Sequence, residues 1–152
     1  MSAAALALKP EESQLVQETL TAAQKHLIRE SFAKLEPASD LVAALLYLRL
    51  FDLDPSLRAL FRGDIQPQGR KFMDALKIAI LSLDREDGLA PTLKLLGARH
   101  RHYGVKAGNY VTFARAFIWT LEQSLEKSFT RDTKEAWVAF YALIMRAMAE
   151  QH

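Results

Sequence analysis

Histidines are the residues of this chain best suited to metal chemistry, and two of its four lie together in LGARHRHYGV, residues 96–105. Residues two apart on a helix point about 200° away from each other, so His100 and His102 do not share a face. His102 neighbours basic residues and is expected to face water. His100 continues an apolar stripe at spacings of three and four, formed by Leu89, Leu93 and Leu96. We therefore expect one inward and one outward histidine, rather than an exposed basic turn.

The inward histidine has two interpretations, a core residue bonded to a backbone carbonyl or a metal ligand. The chain has no cysteine, which excludes disulfides, thiolate metal sites and cysteine nucleophiles. His26, His102 and His152 do not form a spaced set with His100, so a conventional zinc site is not expected. Haem brings its own four equatorial ligands and needs only one axial histidine from the protein. A ligand role for His100 therefore favours haem.

The elements that must position His100 are helices. Glycine is scarce, leucine and alanine are abundant, and no segment alternates apolar and polar residues, so we predict an all-α fold. Helices are predicted at about 21–35, 38–53, 54–61, 66–84, 90–103, 109–127 and 131–150. Thr21 with Gln24 forms a capping box, and Asp54 and Thr130 are caps. Residues 1–19 are an extension of unknown role, and 20–152 form one domain.

Composition bounds the function. Half of the residues are hydrophobic, which is enough for a real core, and the formal net charge is only +2 without a long basic block. Nucleic-acid binding is therefore not expected. No apolar run reaches the roughly 18 residues that span a bilayer, and the first residues make a poor signal peptide. We expect a cytoplasmic protein without a membrane span.

Four stretches carry a resemblance to a known family: ALLYLRLFDLDPSLRALF, PQGRKFM, LGARHRHYGV and AWVAFYALI, in this order and at compatible spacing. Over about residues 21–150 the chain resembles the single-domain bacterial globins related to the globin domains of flavohaemoglobins. The resemblance implies a globin fold, a single domain of seven to eight helices around a haem pocket. It also implies haem b (iron protoporphyrin IX) as the cofactor.

On the proximal side, the resemblance makes His100 the axial iron ligand. Its second ring nitrogen needs an acceptor, such as the carbonyl of Leu96. Arg99 suits a haem propionate, although a solvated arginine is an equal alternative. Val105 would pack on the porphyrin. Phe61 matches the phenylalanine that stacks on the ring, a role that overlaps with plain core packing.

On the distal side, Tyr47 and Gln68 match the tyrosine–glutamine pair of these globins. Tyr47 is expected to be buried, and its hydroxyl then needs a partner. Gln68 heads an apolar stripe made of Phe72, Ala75, Leu76, Ala79 and Ile80. Its alternative is an exposed residue at the start of a helix. Phe72 stands where smaller aliphatic residues are common, which would narrow the pocket.

The proximal hydrogen-bond network of flavohaemoglobins is only partly matched. Tyr110 corresponds to its tyrosine, whereas the glutamate position falls near the end of the chain. Glu150 could serve there only if the last turn of the helix bends inward. We also expect any flavin and nicotinamide reductase to be a separate protein.

Two functions follow from the resemblance. The first is reversible binding of dioxygen, nitric oxide or carbon monoxide, with possible nitric oxide detoxification that would need a separate reductase. The second is a non-catalytic oxygen or redox sensor or reservoir. A haem-less regulatory module is a third hypothesis, disfavoured because His100, Phe61 and Tyr47 are all present.

Overall fold

Five α-helices make up most of the chain described by this computed structural model, which comprises residues 20–84, 97–100 and 104–149. They are α1 (Ala22–Leu35), α2 (Ser39–Leu53), α3 (Ile65–Leu81), α4 (Ala107–Leu125) and α5 (Arg131–Ala149). Short 3-10 helices lie at Glu36–Ala38, Pro55–Leu60 and Glu126–Ser128, and residues 97–100 are also helical. Within these ranges there is no strand, so the prediction of an all-α fold is confirmed.

The predicted caps set where helices begin. The backbone N–H of Gln24 donates to Thr21 Oγ1 over 3.0 Å, and that of Thr21 donates to Gln24 Oε1 over 2.9 Å. This reciprocal capping box satisfies two otherwise unpaired donors of α1. Asp54 accepts from the N–H of Ser56 at 3.1 Å, and Thr130 Oγ1 accepts from the N–H of Thr133 at 3.2 Å. All three caps are therefore confirmed.

Helix boundaries differ from the predictions by a few residues, each for a local reason. Helix α2 begins at Ser39 because the preceding residues, including Pro37, form a 3-10 turn. Helix α4 begins at Ala107, before the predicted Asn109, because the Asn109 side chain accepts from the Lys106 N–H at 2.8 Å. Of the predicted helix at 90–103, only 97–100 falls within the described residues, and the extension at 1–19 lies outside them.

A buried polar contact joins α1 to α5. Trp137 is fully buried, and its Nε1–H donates to Ser31 Oγ over 2.8 Å. The Ser31 hydroxyl in turn donates to the carbonyl of Leu27 over 2.6 Å. Because each polar atom in this contact has a partner, the indole is buried without an unsatisfied donor.

An ion-pair cluster ties the end of α3 to α1. The predicted helix at 66–84 stops at Leu81, and Asp84 lies beyond it in a turn. The Asp84 carboxylate contacts Arg29 at 2.9 Å and Lys25 at 3.4 Å. The hydrogen bond and charge of Arg29, followed by those of Lys25, hold the pKa of this exposed carboxyl below its ordinary value. These exposed ion pairs join the turn to α1, and the neighbouring Leu83 anchors it in the core.

Candidate haem site

Tyr47 is the centre of an aromatic cluster on the inner face of α2. Its side chain is only 3% exposed, as expected from the sequence. The edge-on ring of Phe61 lies 5.4 Å from the Tyr47 ring between centroids, and that of Phe113 lies at 6.5 Å. Burial raises the pKa of Tyr47 to about 12, and a hydrogen bond with the Gln68 side chain partly opposes this shift. Tyr47 therefore remains a neutral phenol over the physiological pH range.

The structure brings the two predicted distal residues together through a close helix crossing. Gly69 is buried where α3 crosses α2, and a Cβ at this position would lie 2.9 Å from the Cβ of Ala43 and 4.0 Å from Tyr47 Cε2. A contact this short requires glycine. Gln68, the preceding residue, is half-buried and within hydrogen-bonding reach of Tyr47. The alternative of a fully exposed helix-start residue is therefore wrong.

The inner face of α3 is not a continuous buried stripe. Leu76, Ala79 and Ile80 are buried as predicted, whereas Ala75 is exposed, so its place in the buried stripe was wrong. Ala75 lies seven residues after Gln68, and therefore on the same side of the helix as that residue.

The ring of Phe72 lies on this same side of α3, four residues after Gln68. It is half-buried, and its centroid is 5.3 Å from that of Phe113 and 5.9 Å from that of Phe117. The face shared by Gln68, Phe72 and Ala75 is thus apolar, partly open and headed by one polar group. The chemistry of these side chains suits an apolar cofactor that lies beside one polar donor.

His100 lies in the helical segment 97–100 and is half-buried, which agrees with an inward orientation. Its ring centroid is 6.3 Å from that of Tyr110, with 39° between the ring planes. The N–H of Val105 donates to the His100 carbonyl over 3.0 Å, and Gly104 has a φ of +91°. This bond, next to the left-handed glycine, ties the backbone of His100 to that of Val105.

The segment that carries His100 is also pressed against α5. Gly97 is buried, and a Cβ there would lie 2.6 Å from the carbonyl carbon of Met148 and 2.8 Å from its Cα. Only glycine permits this backbone contact. His100 is therefore positioned by backbone contacts on both sides of its turn.

The remaining predicted residues divide into two groups. Arg99 is exposed, as a contact with a propionate would require, and Val105 is half-buried, as a contact with the porphyrin would require. Leu96 and Glu150 lie outside the described residues, as does His102. His26 is exposed and pairs with Glu30 at 3.0 Å, and the described part of the chain holds no group of three His, Cys, Asp or Glu residues suited to a metal ion.

The sequence reasoning missed Phe51, Phe113 and Tyr141, which complete the aromatic cluster. Phe51 is 6.2 Å from Tyr47 and 5.6 Å from Phe61, and Phe113 stacks on Tyr141 at 6.5 Å. Phe113 comes three residues after Tyr110 on α4. This helical spacing was the available signal, since it places both rings on one face.

The family of the chain follows from comparison with known proteins. The model of the Globin family matches residues 44–148. The chain is a globin. Neuroglobin-1 of Oncorhynchus mykiss is 28% identical over 146 residues, covering 87% of this chain and 92% of that protein. Neuroglobin of Danio rerio is 29% identical over 145 residues, covering 86% and 91%.

A solved structure supports the globin fold. A hexacoordinated haem protein from an anhydrobiotic tardigrade, crystallised at pH 4, superposes with a TM-score of 0.77, at 17% identity and over 86% of this chain and 93% of that one. The predicted globin fold is confirmed. Membership of the globin family supports haem binding and haem-based binding of gases by this globin. Among the helices described for this globin, none has the length and hydropathy needed to cross a membrane.

Proposed function

We propose that this globin binds haem b with His100 as the axial ligand and binds dioxygen reversibly beside Tyr47 and Gln68. The observation that carries the proposal is the contact between the buried Tyr47 phenol and the half-buried Gln68 amide, beside a cluster of aromatic rings. The hydrogen bond to the amide offsets the cost of burying the phenol, so a polar group can be kept inside this aromatic cluster. When bound, haem would supply an iron atom with an open position for a diatomic ligand.

Three residues would hold the cofactor from different directions. The His100 imidazole would bind from the proximal side, since its backbone is held by the bond from the Val105 N–H and by the contact of Gly97 with α5. Phe61 presents a half-buried ring beside Tyr47, suited to stacking on the porphyrin. The exposed guanidinium of Arg99, one residue before the histidine, would pair with a propionate at the solvent edge.

Tyr47 is the better placed of the two distal donors. In the arrangement that we propose, the Gln68 amide N–H donates to the phenol oxygen, which is consistent with the lowering effect of this bond on the Tyr47 pKa. The O–H proton of Tyr47 is then left to be donated to a ligand with partial negative charge, which dioxygen acquires and carbon monoxide does not. Gln68 has a second N–H that can add to this interaction. Both donors are neutral, so neither needs to be desolvated as an ion.

The distal position also sets the coordination that we propose. The resemblance assigns Gln68 to the distal position, where bis-histidine coordination would need a histidine. An amide is a poor iron ligand, so we expect a sixth position available to external ligands. The half-buried ring of Phe72 narrows the approach and favours diatomic over larger ligands.

A visible absorption spectrum of the haem-reconstituted protein, compared with that of His100→Ala, tests the proposal. We expect a sharp Soret band in the wild type, with reversible spectral changes on adding oxygen or carbon monoxide to the reduced protein. His100→Ala should lose or shift the band, and added imidazole should restore it. Failure of the wild-type protein to take up haem would contradict the proposal and favour a haem-less regulatory module.

Two roles remain compatible with this ligand binding. One is nitric oxide consumption, which we propose would require oxygen and a separate reductase, and the other is a sensor or reservoir of oxygen. The pairing of Tyr47 with Gln68 favours oxygen retention in both. The two roles are distinguished by measuring the rate of nitric oxide consumption by the oxygen-bound protein in the presence of a flavin reductase and NADH. Consumption of many nitric oxide molecules per protein that is lost in His100→Ala supports the first role. Consumption of only one nitric oxide molecule per protein supports the second.

A further inference from the structure

Tyr141 on α5 has a buried hydroxyl with a defined partner. The residue is 6% exposed, and its O–H donates to the backbone carbonyl of Tyr110 over 2.7 Å. Its ring stacks on Phe113 at 6.5 Å and on Phe117 at 6.1 Å, with interplanar angles of 16° and 29°. Burial raises the pKa of Tyr141, so the hydroxyl stays a donor. The two stacking contacts keep it aimed at α4.

The acceptor of this bond is the residue that contacts His100. Tyr110 lies in the first turn of α4, and its ring centroid is 6.3 Å from that of His100. A displacement of the Tyr110 backbone therefore moves a ring that lies against the imidazole. Tyr110 thus accepts the Tyr141 hydrogen bond with its backbone carbonyl and contacts His100 with its ring.

Helix α5 approaches the His100 segment at a second point. Met148 packs its backbone against Gly97, three residues before the histidine. Tyr141 and Met148 are seven residues apart on α5, so they lie on the same face of that helix. One rigid helix thus contacts both the segment that carries His100 and the residue beside the imidazole.

We propose that Tyr141 is a positioning residue, which orients the imidazole of His100 by fixing Tyr110 against it. The inference rests on the proposed role of His100 as haem ligand. It assigns to α5 a function at the proximal site that the predicted Tyr110–Glu150 network would otherwise carry. Through this contact, Tyr141 would set the tilt of the imidazole and hence the strength of its bond to iron.

The test compares Tyr141→Phe with Ser31→Ala in the haem-loaded full chain. Both variants remove one buried hydroxyl together with its hydrogen bonds, but those of Ser31 join α1 to α5 and do not involve Tyr110. The readouts are the iron–histidine stretching band of the reduced protein in resonance Raman spectra and the midpoint potential of the iron. Thermal unfolding of each variant measures the purely structural effect.

We expect Tyr141→Phe to shift or broaden the iron–histidine band and to change the potential, while Ser31→Ala lowers stability alone. A band in Tyr141→Phe with the position and width of the wild type would overturn the positioning role. Absence of the band from the wild type would overturn His100 ligation, and the positioning role with it.

A second variant tests the contact from its other end and does not depend on the folding of Tyr141→Phe. Tyr110→Leu keeps the carbonyl acceptor but removes the ring beside His100. We expect it to shift the band as well, and Tyr141→Phe should then add no further shift in this background. An unchanged band in Tyr110→Leu would also overturn the proposal.

Discussion

Removal of the Tyr47 hydroxyl is the sharpest test of the distal site. In Tyr47→Phe the ring remains, so its packing with Phe61 and Phe113, at 5.4 and 6.5 Å, should be preserved. The change deletes the O–H donor and leaves the Gln68 amide without its phenol acceptor. We therefore expect a selective loss of hydrogen bonding to a polar ligand, with the pocket otherwise intact.

The magnitude follows from the burial of the donor. A single neutral hydrogen bond contributes about 0.5–1.5 kcal/mol, and a site that excludes water places the effect at the upper end. At 3% exposure, Tyr47 is such a site. Since about 1.4 kcal/mol corresponds to a factor of ten, oxygen should dissociate roughly tenfold faster from Tyr47→Phe. Carbon monoxide, which carries little negative charge, should dissociate at nearly the wild-type rate.

Stopped-flow displacement of oxygen by excess carbon monoxide measures this rate directly. Ser31→Ala is the matched control, because it removes a buried hydroxyl from the core without touching the ligand pocket. Equal oxygen dissociation rates in wild type and Tyr47→Phe would refute the distal hydrogen bond. An equal acceleration for oxygen and carbon monoxide would indicate a widened pocket instead, and would refute the electrostatic explanation.

Three further predictions concern stability. Ser31→Ala should lower the free energy of unfolding by about 1–3 kcal/mol in urea titrations, because the fully buried Trp137 Nε1–H loses its acceptor. An unchanged free energy of unfolding would contradict a stabilising role of this hydrogen bond. Gly97→Ala should cost about 1–3 kcal/mol or more, since its Cβ would meet the Met148 backbone, and a thermal midpoint equal to that of the wild type would be inconsistent with this contact. Burial raises the pKa of Tyr47 from 10.0 to about 12, so the folded state binds this proton more tightly than the unfolded state. This contribution to stability is complete below pH 10 and should be lost between about pH 10 and 12. In urea titrations the free energy of unfolding should therefore fall over this pH range, and the fall should be smaller in Tyr47→Phe.

The sequence predicted the helices because their ends depend on local signals. Caps at Thr21, Asp54 and Thr130 act within three residues, and the structure confirms them. The family resemblance assigned Tyr47 and Gln68 to one distal site, and their two side chains lie within hydrogen-bonding reach of each other. Their role as donors to a ligand stays a prediction.

Contacts between distant segments could not be predicted in this way. The bond from Tyr141 to the Tyr110 carbonyl joins residues 31 apart, and the Trp137–Ser31 bond joins residues 106 apart. The sequence around a tyrosine does not show whether its hydroxyl donates a hydrogen bond to a neighbouring helix or whether its ring only packs in the core. The exposure of Ala75 was missed for a related reason, because helical periodicity does not reveal whether a face meets protein or a cofactor.

The crossing at Gly69 separates the chemistry of the distal pocket from its geometry. A Cβ added at Gly69 would lie only 2.9 Å from the Cβ of Ala43. At this crossing the backbone of α3 therefore packs directly on the short Ala43 side chain of α2, with no long side chain between the two helices. The spacing between positions 47 and 68 is then a property of the two helix axes. Substitutions at those two positions change which groups are offered to a ligand, while a substitution at Gly69 changes where they are offered. Substitutions at positions 47 and 68 can therefore change which ligand the pocket prefers without changing how α2 and α3 pack.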